Sequence, residues 1–418
     1  MLKKRYQWCI ILTVGLLVFI YRGACAQIQS SLPFDVNARS AVLMNANSGA
    51  ILYEKAPDER HIPASLTKIM TLYLAFDALK AGQVKLTDEV TISQNAWKMG
   101  GSQMFIEVGQ KVRFDDLLKG ITVVSGNDAC TAVAEAVSGS VPVFVKNMND
   151  KAQTLGMVNS QFMNPHGLPA EGQYCSARDM AILSYHYLKD HSEALKYHSL
   201  KEFTYGNITQ QNRNGLLFKD NTVDGIKTGW TEEAGFHLIA TAQRNNDRFI
   251  AVVIGAKKVR EREEDAQALL TYGFKNFFTT KFCSRSEKAG EIKVWKGQKG
   301  SVTVEPAEDG CITLPQGKEK SLSVARQIPE TIFAPVGKAQ RLGTLTLTLD
   351  GKKVREIALV ASEEVPAAGI LKRMLHSFIL ISFYPPYIGS IVIIVIILIV
   401  ISIVSISGRK KKEFPKLS

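Results

Sequence analysis

Ser65-Leu-Thr-Lys68-Ile-Met-Thr-Leu-Tyr-Leu-Ala-Phe-Asp-Ala-Leu-Lys80 is the stretch that decides how this 418-residue chain folds. Ile69, Leu72, Tyr73, Phe76 and Leu79 recur at helical spacing, and Gly82 stands where a helix would stop. The pattern predicts a helix beginning at Ser65, with Lys68 nearly one turn further on and able to reach back to the Ser65 hydroxyl. At a helix N-terminus Ser65 would also face the positive end of the dipole and keep a free backbone N–H. A serine is a poor nucleophile unless a base removes its proton. Lys68 is followed by Ile69, Met70 and Leu72, and burial depresses a lysine's pKa enough to make it that base. A lone S-x-x-K usually means a capping serine followed by a surface lysine, and a second copy stands at Ser407–Lys410.

Two further motifs follow in order and give the first its weight. Ser125-Gly-Asn127 links two predicted helices, so its side chains can project from a loop into a cleft. The hydroxyl of Ser125 could pass a proton to a leaving amine, and the amide of Asn127 could hold a substrate peptide group. Lys227-Thr-Gly229 occurs once and lies just ahead of two paired strands, in the position of an edge strand. Lys227 and Thr228 offer a charge and a hydroxyl to an anionic substrate end, while Gly229 permits close backbone approach. The backbone N–H groups of Ser65 and Trp230 are then candidate oxyanion-hole donors.

Around these motifs the chain alternates between strand and helix signals. Residues 41–54 predict a hairpin turning at Asn47-Ser-Gly49. Helices are expected at Phe114–Val124, Asp128–Val137, Val143–Leu155, Arg178–Leu188 and Arg262–Phe278. Strands are expected at Phe236–Gln243 and Arg248–Ala256, joined by Asn245-Asn-Asp247. Strands at both ends with helices between them imply an antiparallel sheet in which the first and last strands are neighbours. This is an α/β catalytic domain over residues 27–280. From 281 to 365 the pattern changes to short alternating runs, including Ser301–Val304, Cys311–Leu314 and Ser321–Val324. They end in a hairpin through Asp350-Gly351, and no helical period is present. A small all-β domain is expected there, in the role of a spacer.

The formal net charge of +12 is concentrated at the ends. Lys3, Lys4, Arg5 and Arg22 lie in the first 26 residues, and five bases against Glu413 lie in the last ten. The body is left with too little charge to argue for nucleic acid. Lys3-Lys-Arg5, the apolar Trp8–Tyr21 and Ala24-Cys-Ala26 have the layout of a signal peptide over residues 1–26. Ile388–Ile406 is uncharged and about long enough to span a membrane at ~1.5 Å per residue. Arg409-Lys-Lys-Lys412 follows, which places the tail from 407 to 418 in the cytoplasm and the enzyme on the outer face. Between them, residues 366–387 form an interfacial segment in which Ile370, Leu371, Met374, Leu375 and Phe378 make an apolar stripe ahead of Pro385-Pro386. Cys130, Cys175, Cys283 and Cys311 have no metal-ligand or regular disulfide spacing. No metal site or cofactor is expected, and His186 and His191 are taken as helix decoration.

The extended motifs resemble one family. Pro63-Ala-Ser-Leu-Thr-Lys68, Ser125-Gly-Asn-Asp-Ala-Cys130, Gly172-Gln-Tyr-Cys-Ser-Ala-Arg-Asp179, Asn212-Arg-Asn-Gly-Leu216 and Asp224-Gly-Ile-Lys-Thr-Gly229 together look like the low-molecular-mass penicillin-binding proteins that are D-alanyl-D-alanine carboxypeptidases. The resemblance covers residues 34–375. It implies a β-lactamase/transpeptidase-like fold and removal of the terminal D-alanine from peptidoglycan stem peptides. It further implies an acyl-enzyme on Ser65, with Lys68 as base and Ser125 as proton relay, and covalent inhibition by β-lactams. Asn127, Lys227, Thr228 and Gly229 would bind substrate, and Arg262 would help with the terminal carboxylate. Relatives often carry histidine where this chain has Trp230, and they commonly end in an amphipathic anchor without an appended apolar span. A DD-endopeptidase would use the same residues. A class A β-lactamase would need an E-x-x-L-N segment that is absent between Ser125 and Lys227. A non-catalytic wall-binding protein would have little need of the intact set.

Overall fold

The computed structural model describes residues 34, 36–382, 390 and 394–402. The expected signal peptide and cytoplasmic tail lie outside the described residues, as does much of the expected membrane span. The chain forms two compact units, the first ending at Phe278 and the second beginning at Thr279.

In the first unit, strands β1 (Ser40–Asn45) and β2 (Ile51–Lys55) form the expected hairpin. Strands β3 (Val223–Thr231), β4 (Gly235–Arg244) and β5 (Asp247–Ala256) complete an antiparallel sheet in the order β2-β1-β5-β4-β3. Ser40–Asn45 pairs with Phe249–Ile254, so the sequence-distant first and last strands are neighbours as expected. The edge position of β3 leaves one side of the Lys227-Thr-Gly229 segment open to an added strand. Alternating residues feed two cores. Val42, Met44, Ile250 and Val252 face the helical side, whereas Ala41, Leu43, Ala251 and Val253 face the other.

Helix α1 (Lys68–Lys80) runs through the middle of the helical side. Every residue from Lys68 to Phe76 is buried, which fits a helix apolar nearly all round. Burying Leu72 or Phe76 contributes on the order of 1.5–3 kcal/mol each. Helices α2 (Phe114–Thr122), α3 (Asn127–Ser138), α4 (Val141–Thr154) and α5 (Ala177–Asp190) supply residues to the same core. Ser140 and Ser176 cap α4 and α5 by accepting from Val143 and Asp179 N–H. Helix α6 (Val259–Asn276) packs on the opposite face of the sheet.

The start of α1 differs from the expectation. A 3₁₀ turn, Ala64–Thr67, precedes it, and the α-helix begins only at Lys68. Pro63 supplies no N–H, and Ala64 sits in the left-handed region at φ 47°. Gly167 presses against this turn with φ 87°; a Cβ there would lie 1.8 Å from the Ala64 carbonyl oxygen. Only glycine fits.

The second unit is a six-stranded sheet in the order Leu322–Gln327, Arg341–Leu349, Lys352–Ala361, Ser301–Pro306, Gly290–Trp295, Thr331–Phe333. Asp350 and Gly351 both have positive φ, as the turn of the 341–361 hairpin requires. Helix α7 (Ile370–Ser382) docks through His376, whose Nδ1 accepts the Lys296 N–H at 2.8 Å. Its Ile370, Leu371, Met374 and Leu375 are exposed. Residues 394–402 are helical, but among the described residues no single helix is long and apolar enough to cross a membrane.

Candidate active site

The 3₁₀ turn decides the geometry at Ser65. Residues three apart eclipse one another in such a turn, so Ser65 and Lys68 lie on one side. Lys68 Nζ comes to 2.9 Å from Ser65 Oγ, and it also reaches Asn127 Oδ1 at 2.7 Å and the His166 carbonyl oxygen at 2.5 Å. All three partners are acceptors when lysine is protonated. A neutral amine would keep Asn127 and His166 as acceptors and turn its lone pair to the Ser65 hydroxyl. Complete burial lowers the Lys68 pKa to about 8, with the Arg213 charge acting in the same direction. The base is therefore available close to neutral pH.

Asn127 is the first residue of α3 and ties three segments together. Its Oδ1 accepts from Lys68, its Nδ2 donates to the Gly100 carbonyl at 2.7 Å, and its backbone N–H donates to the Ser102 carbonyl at 2.7 Å. Asp128 fixes the same loop by accepting from the backbone N–H of Met104 and Phe105. Ser125 precedes them at φ 64°, and its buried Oγ has no hydrogen-bond partner. A buried hydroxyl costs free energy when it is unpaired, and such a group marks a place prepared for a substrate atom or a water.

Lys227 and Thr228 are buried on β3, whereas Trp230 is exposed. A Cβ on Gly229 would lie 3.3 Å from the Pro63 carbonyl oxygen and 3.4 Å from Leu66 Cγ, so this glycine lets β3 run close to the Ser65 turn. Desolvation drives the Lys227 pKa well below its ordinary value, and the Lys68 and Arg213 charges add to the effect. An anion bound beside Lys227 would restore its charge. Arg262, on α6, is buried and donates to the His237 carbonyl at 3.4 Å and the Arg213 carbonyl at 3.1 Å, while its Nε has no partner. The structure thus gathers Ser65, Lys68 and Asn127 by direct contact. It places Lys227 within electrostatic reach of Lys68 and Arg262.

Four contributors were not singled out from sequence. Arg213 donates to Ser102 Oγ at 2.7 Å and has its charge close enough to lower both lysines. His166 supplies a carbonyl to Lys68 from a loop of no recognisable pattern. His237 Nδ1 accepts from Gly255 N–H at 3.0 Å, which leaves Nε2 to donate to the Ile62 carbonyl at 3.0 Å. Burial lowers the His237 pKa to about 4, so it is a neutral tether between the sheet and the segment ahead of Ser65. Cys175 pairs with His61 through two backbone hydrogen bonds of 2.8 Å and holds the same segment from the other side. Arg213 and Cys175 carried a signal, since they sit in the Asn212–Leu216 and Gly172–Asp179 motifs. Among the described residues no group of three His, Cys, Asp or Glu could hold a metal ion.

Residues 26–258 match the family model described as D-alanyl-D-alanine carboxypeptidase, and residues 277–367 match that of the penicillin-binding protein 5 C-terminal domain. The D-alanyl-D-alanine carboxypeptidase DacA of Haemophilus influenzae is 42% identical over 348 residues, which is 82% of this chain and 88% of that one. The crystal structure of penicillin binding protein 5 from Haemophilus influenzae superposes with a TM-score of 0.74 at 42% identity, covering 81% of this chain and 100% of that one. Penicillin-binding protein D2 from Listeria monocytogenes, solved in its ampicillin-bound form, gives 0.54 at 27% identity and covers 58% of this chain and 100% of its own. With a serine and a pKa-lowered lysine in contact at its centre, this chain belongs to the D-alanyl-D-alanine carboxypeptidase family of serine peptidases, in the penicillin-binding protein 5 group.

Proposed function

We propose that this enzyme removes the terminal D-alanine of peptidoglycan stem pentapeptides through an ester on Ser65. The observation that carries the reading is the contact between Ser65 Oγ and the buried Lys68 amine at 2.9 Å. Neutral Lys68 takes the Ser65 proton as Oγ attacks the penultimate D-alanine carbonyl carbon. The resulting oxyanion lies against the backbone N–H groups of Ser65 and Trp230. As the C–N bond breaks, the unpaired Ser125 hydroxyl hands a proton to the leaving amine and is reprotonated from Lys68. Water then hydrolyses the ester with Lys68 again as base. Asn127 holds the acyl-side amide, the substrate backbone runs along Gly229 at the β3 edge, and Lys227, Thr228 and Arg262 receive the terminal carboxylate. Arg213 joins that anion site. A β-lactam meets the same nucleophile because its ring amide imitates the scissile bond while its leaving group stays attached.

The purified protein should release free D-alanine from a D-Ala-D-Ala-terminated pentapeptide, and mass spectrometry after penicillin treatment should place the adduct on Ser65. An adduct on another residue would overturn the assignment. Faster cleavage of a cross-linked peptide than of the pentapeptide would favour the endopeptidase reading.

The same proposal places the enzyme at the membrane. Residues 1–26 direct export, 27–280 carry the chemistry, 281–365 are the spacer, 366–387 lie at the interface, 388–406 span the bilayer, and 407–418 stay in the cytoplasm. The uncharged length of Ile388–Ile406 and the bases after it support this reading. The protein should resist extraction by high salt or carbonate; release by salt alone would overturn it.

A further inference from the structure

The buried Lys227 amine donates to the carbonyl of the next residue, Thr228, at 3.1 Å, so its position follows the path of β3. Strand β4 does not fix that path alone, because its register with β3 slips between Val223 and Gly225. Two side chains from outside the sheet take up the carbonyls just ahead of Lys227. Asn214 Nδ2 donates to the Gly225 carbonyl at 3.1 Å, and His198 Nδ1 donates to the Ile226 carbonyl at 2.8 Å. His198 ends the short helix Leu195–His198 and is fully buried. A Cβ on Gly225 would lie 3.3 Å from the His198 Cβ, so the helix end packs directly on the strand. A carbonyl can only accept, so Nδ1 carries the proton, and Nε2 accepts from the Tyr187 hydroxyl of α5 at 3.0 Å. Burial lowers the His198 pKa to about 4, with the Lys227 charge acting in the same direction, so the ring is neutral and its tautomer fixed.

The two ring nitrogens play different parts. The Nε2 bond orients the imidazole from α5, and the Nδ1 bond holds the peptide group that leads into Lys227. We infer that His198 is a positioning residue for substrate binding, which through the Ile226 carbonyl sets the place from which Lys227 meets the terminal carboxylate of the donor. This inference rests on the carboxypeptidase reading, in which Lys227 belongs to the anion site. A charge-assisted bond is short and depends on geometry, so a displaced Lys227 weakens binding of a charged donor far more than of a neutral one.

The test uses the full-length protein and measures kcat and KM for N-acetyl-Lys-D-Ala-D-Ala and for its C-terminal amide. A glutamine at 198 carries its amide nitrogen toward Tyr187, whereas an asparagine carries it where Nδ1 stands, within reach of Ile226. His198→Gln should therefore raise KM for the acid about tenfold with little change in kcat, and raise it much less for the amide. His198→Asn should restore most of that loss. Tyr187→Phe keeps the ring in place but frees Nε2, and should raise KM for the acid about two- to threefold; it carries the test should the glutamine variant not fold. Equal behaviour of the glutamine and asparagine variants would overturn the inference, because that is what a mere packing role produces. Equal loss on acid and amide, or no effect of Tyr187→Phe when the glutamine variant does not fold, would overturn it as well. Failure of the wild-type protein to release D-alanine, or a Lys227→Ala variant that loses as much on the amide as on the acid, would instead overturn the underlying reading of the site.

Discussion

The two units of this chain treat polar side chains in opposite ways. The first buries Lys68, Lys227, Arg262, Ser125 and Thr228, and leaves atoms of Ser125 and Arg262 without partners. In the second, among the described residues, the buried side chains are apolar, and pairs such as Lys281–Asp309 and Lys318–Asp350 stand on the surface. Unpaired buried polar groups cost stability, so their concentration in one unit marks where chemistry was favoured over packing. The second unit holds its fold with a small core of Ile292, Val302, Val304, Ile357 and Leu359, and among its described residues shows no comparable cluster of buried polar groups.

The largest test of this contrast is Lys68 itself. Lys68→Met should cut acylation by penicillin by on the order of 10³-fold or more, since the base is lost. It should also stabilise the first unit by about 1–3 kcal/mol, because an apolar side chain replaces a buried amine. Stopped-flow acylation and thermal melts would read the two effects, and a fall in stability would break the comparison.

Next is pH. The Lys68 pKa of about 8 leaves roughly one lysine in a hundred neutral at pH 6. The second-order acylation rate should therefore rise about 100-fold between pH 6 and pH 9 and level off. The linkage has a matching sign. The folded pKa lies below the unfolded value near 10.5, so the penalty is full below pH 8 and fades as pH rises toward 10.5. A flat acylation profile from pH 6 to 9 would exclude Lys68 as the titrating base.

In the second unit, Leu359→Ala should cost about 2–5 kcal/mol of that unit's stability through the cavity it opens. The rate of penicillin acylation should stay within about twofold. A comparable fall in acylation would show that the two units share more than a chain.

A smaller effect is expected at Arg213. Arg213→Gln should raise KM about tenfold for a donor with a free terminal carboxylate and much less for its amide. Equal effects on both would remove Arg213 from the anion site. The smallest is Lys318→Ala, which breaks an exposed pair and should leave the melting temperature of the second unit unchanged within error.

Much of this was legible in sequence because it is local. Helical spacing after Lys68, alternation in Ser40–Asn45 and the Asp350-Gly351 turn each depend on a few neighbouring residues. The order of the three motifs pointed to the serine, the lysine and the edge strand before any contact was known. What sequence did not supply is long-range. The 3₁₀ turn at Ala64–Thr67 packs against Gly167, about a hundred residues away, whose missing Cβ leaves room for it, whereas local helix propensity places the α-helix start at Ser65. The lowered Lys68 pKa needs complete burial by the packed chain and a charge from Arg213, far from it in sequence. His237 was one of several scattered histidines until the fold brought its Nε2 to the Ile62 carbonyl. By itself the sequence determined which groups could do chemistry, because residue type fixes what can donate, accept or attack. Only the tertiary structure decided which of them are dry, which are paired and which stand within 3 Å of one another, because burial and distance are properties of the packed chain.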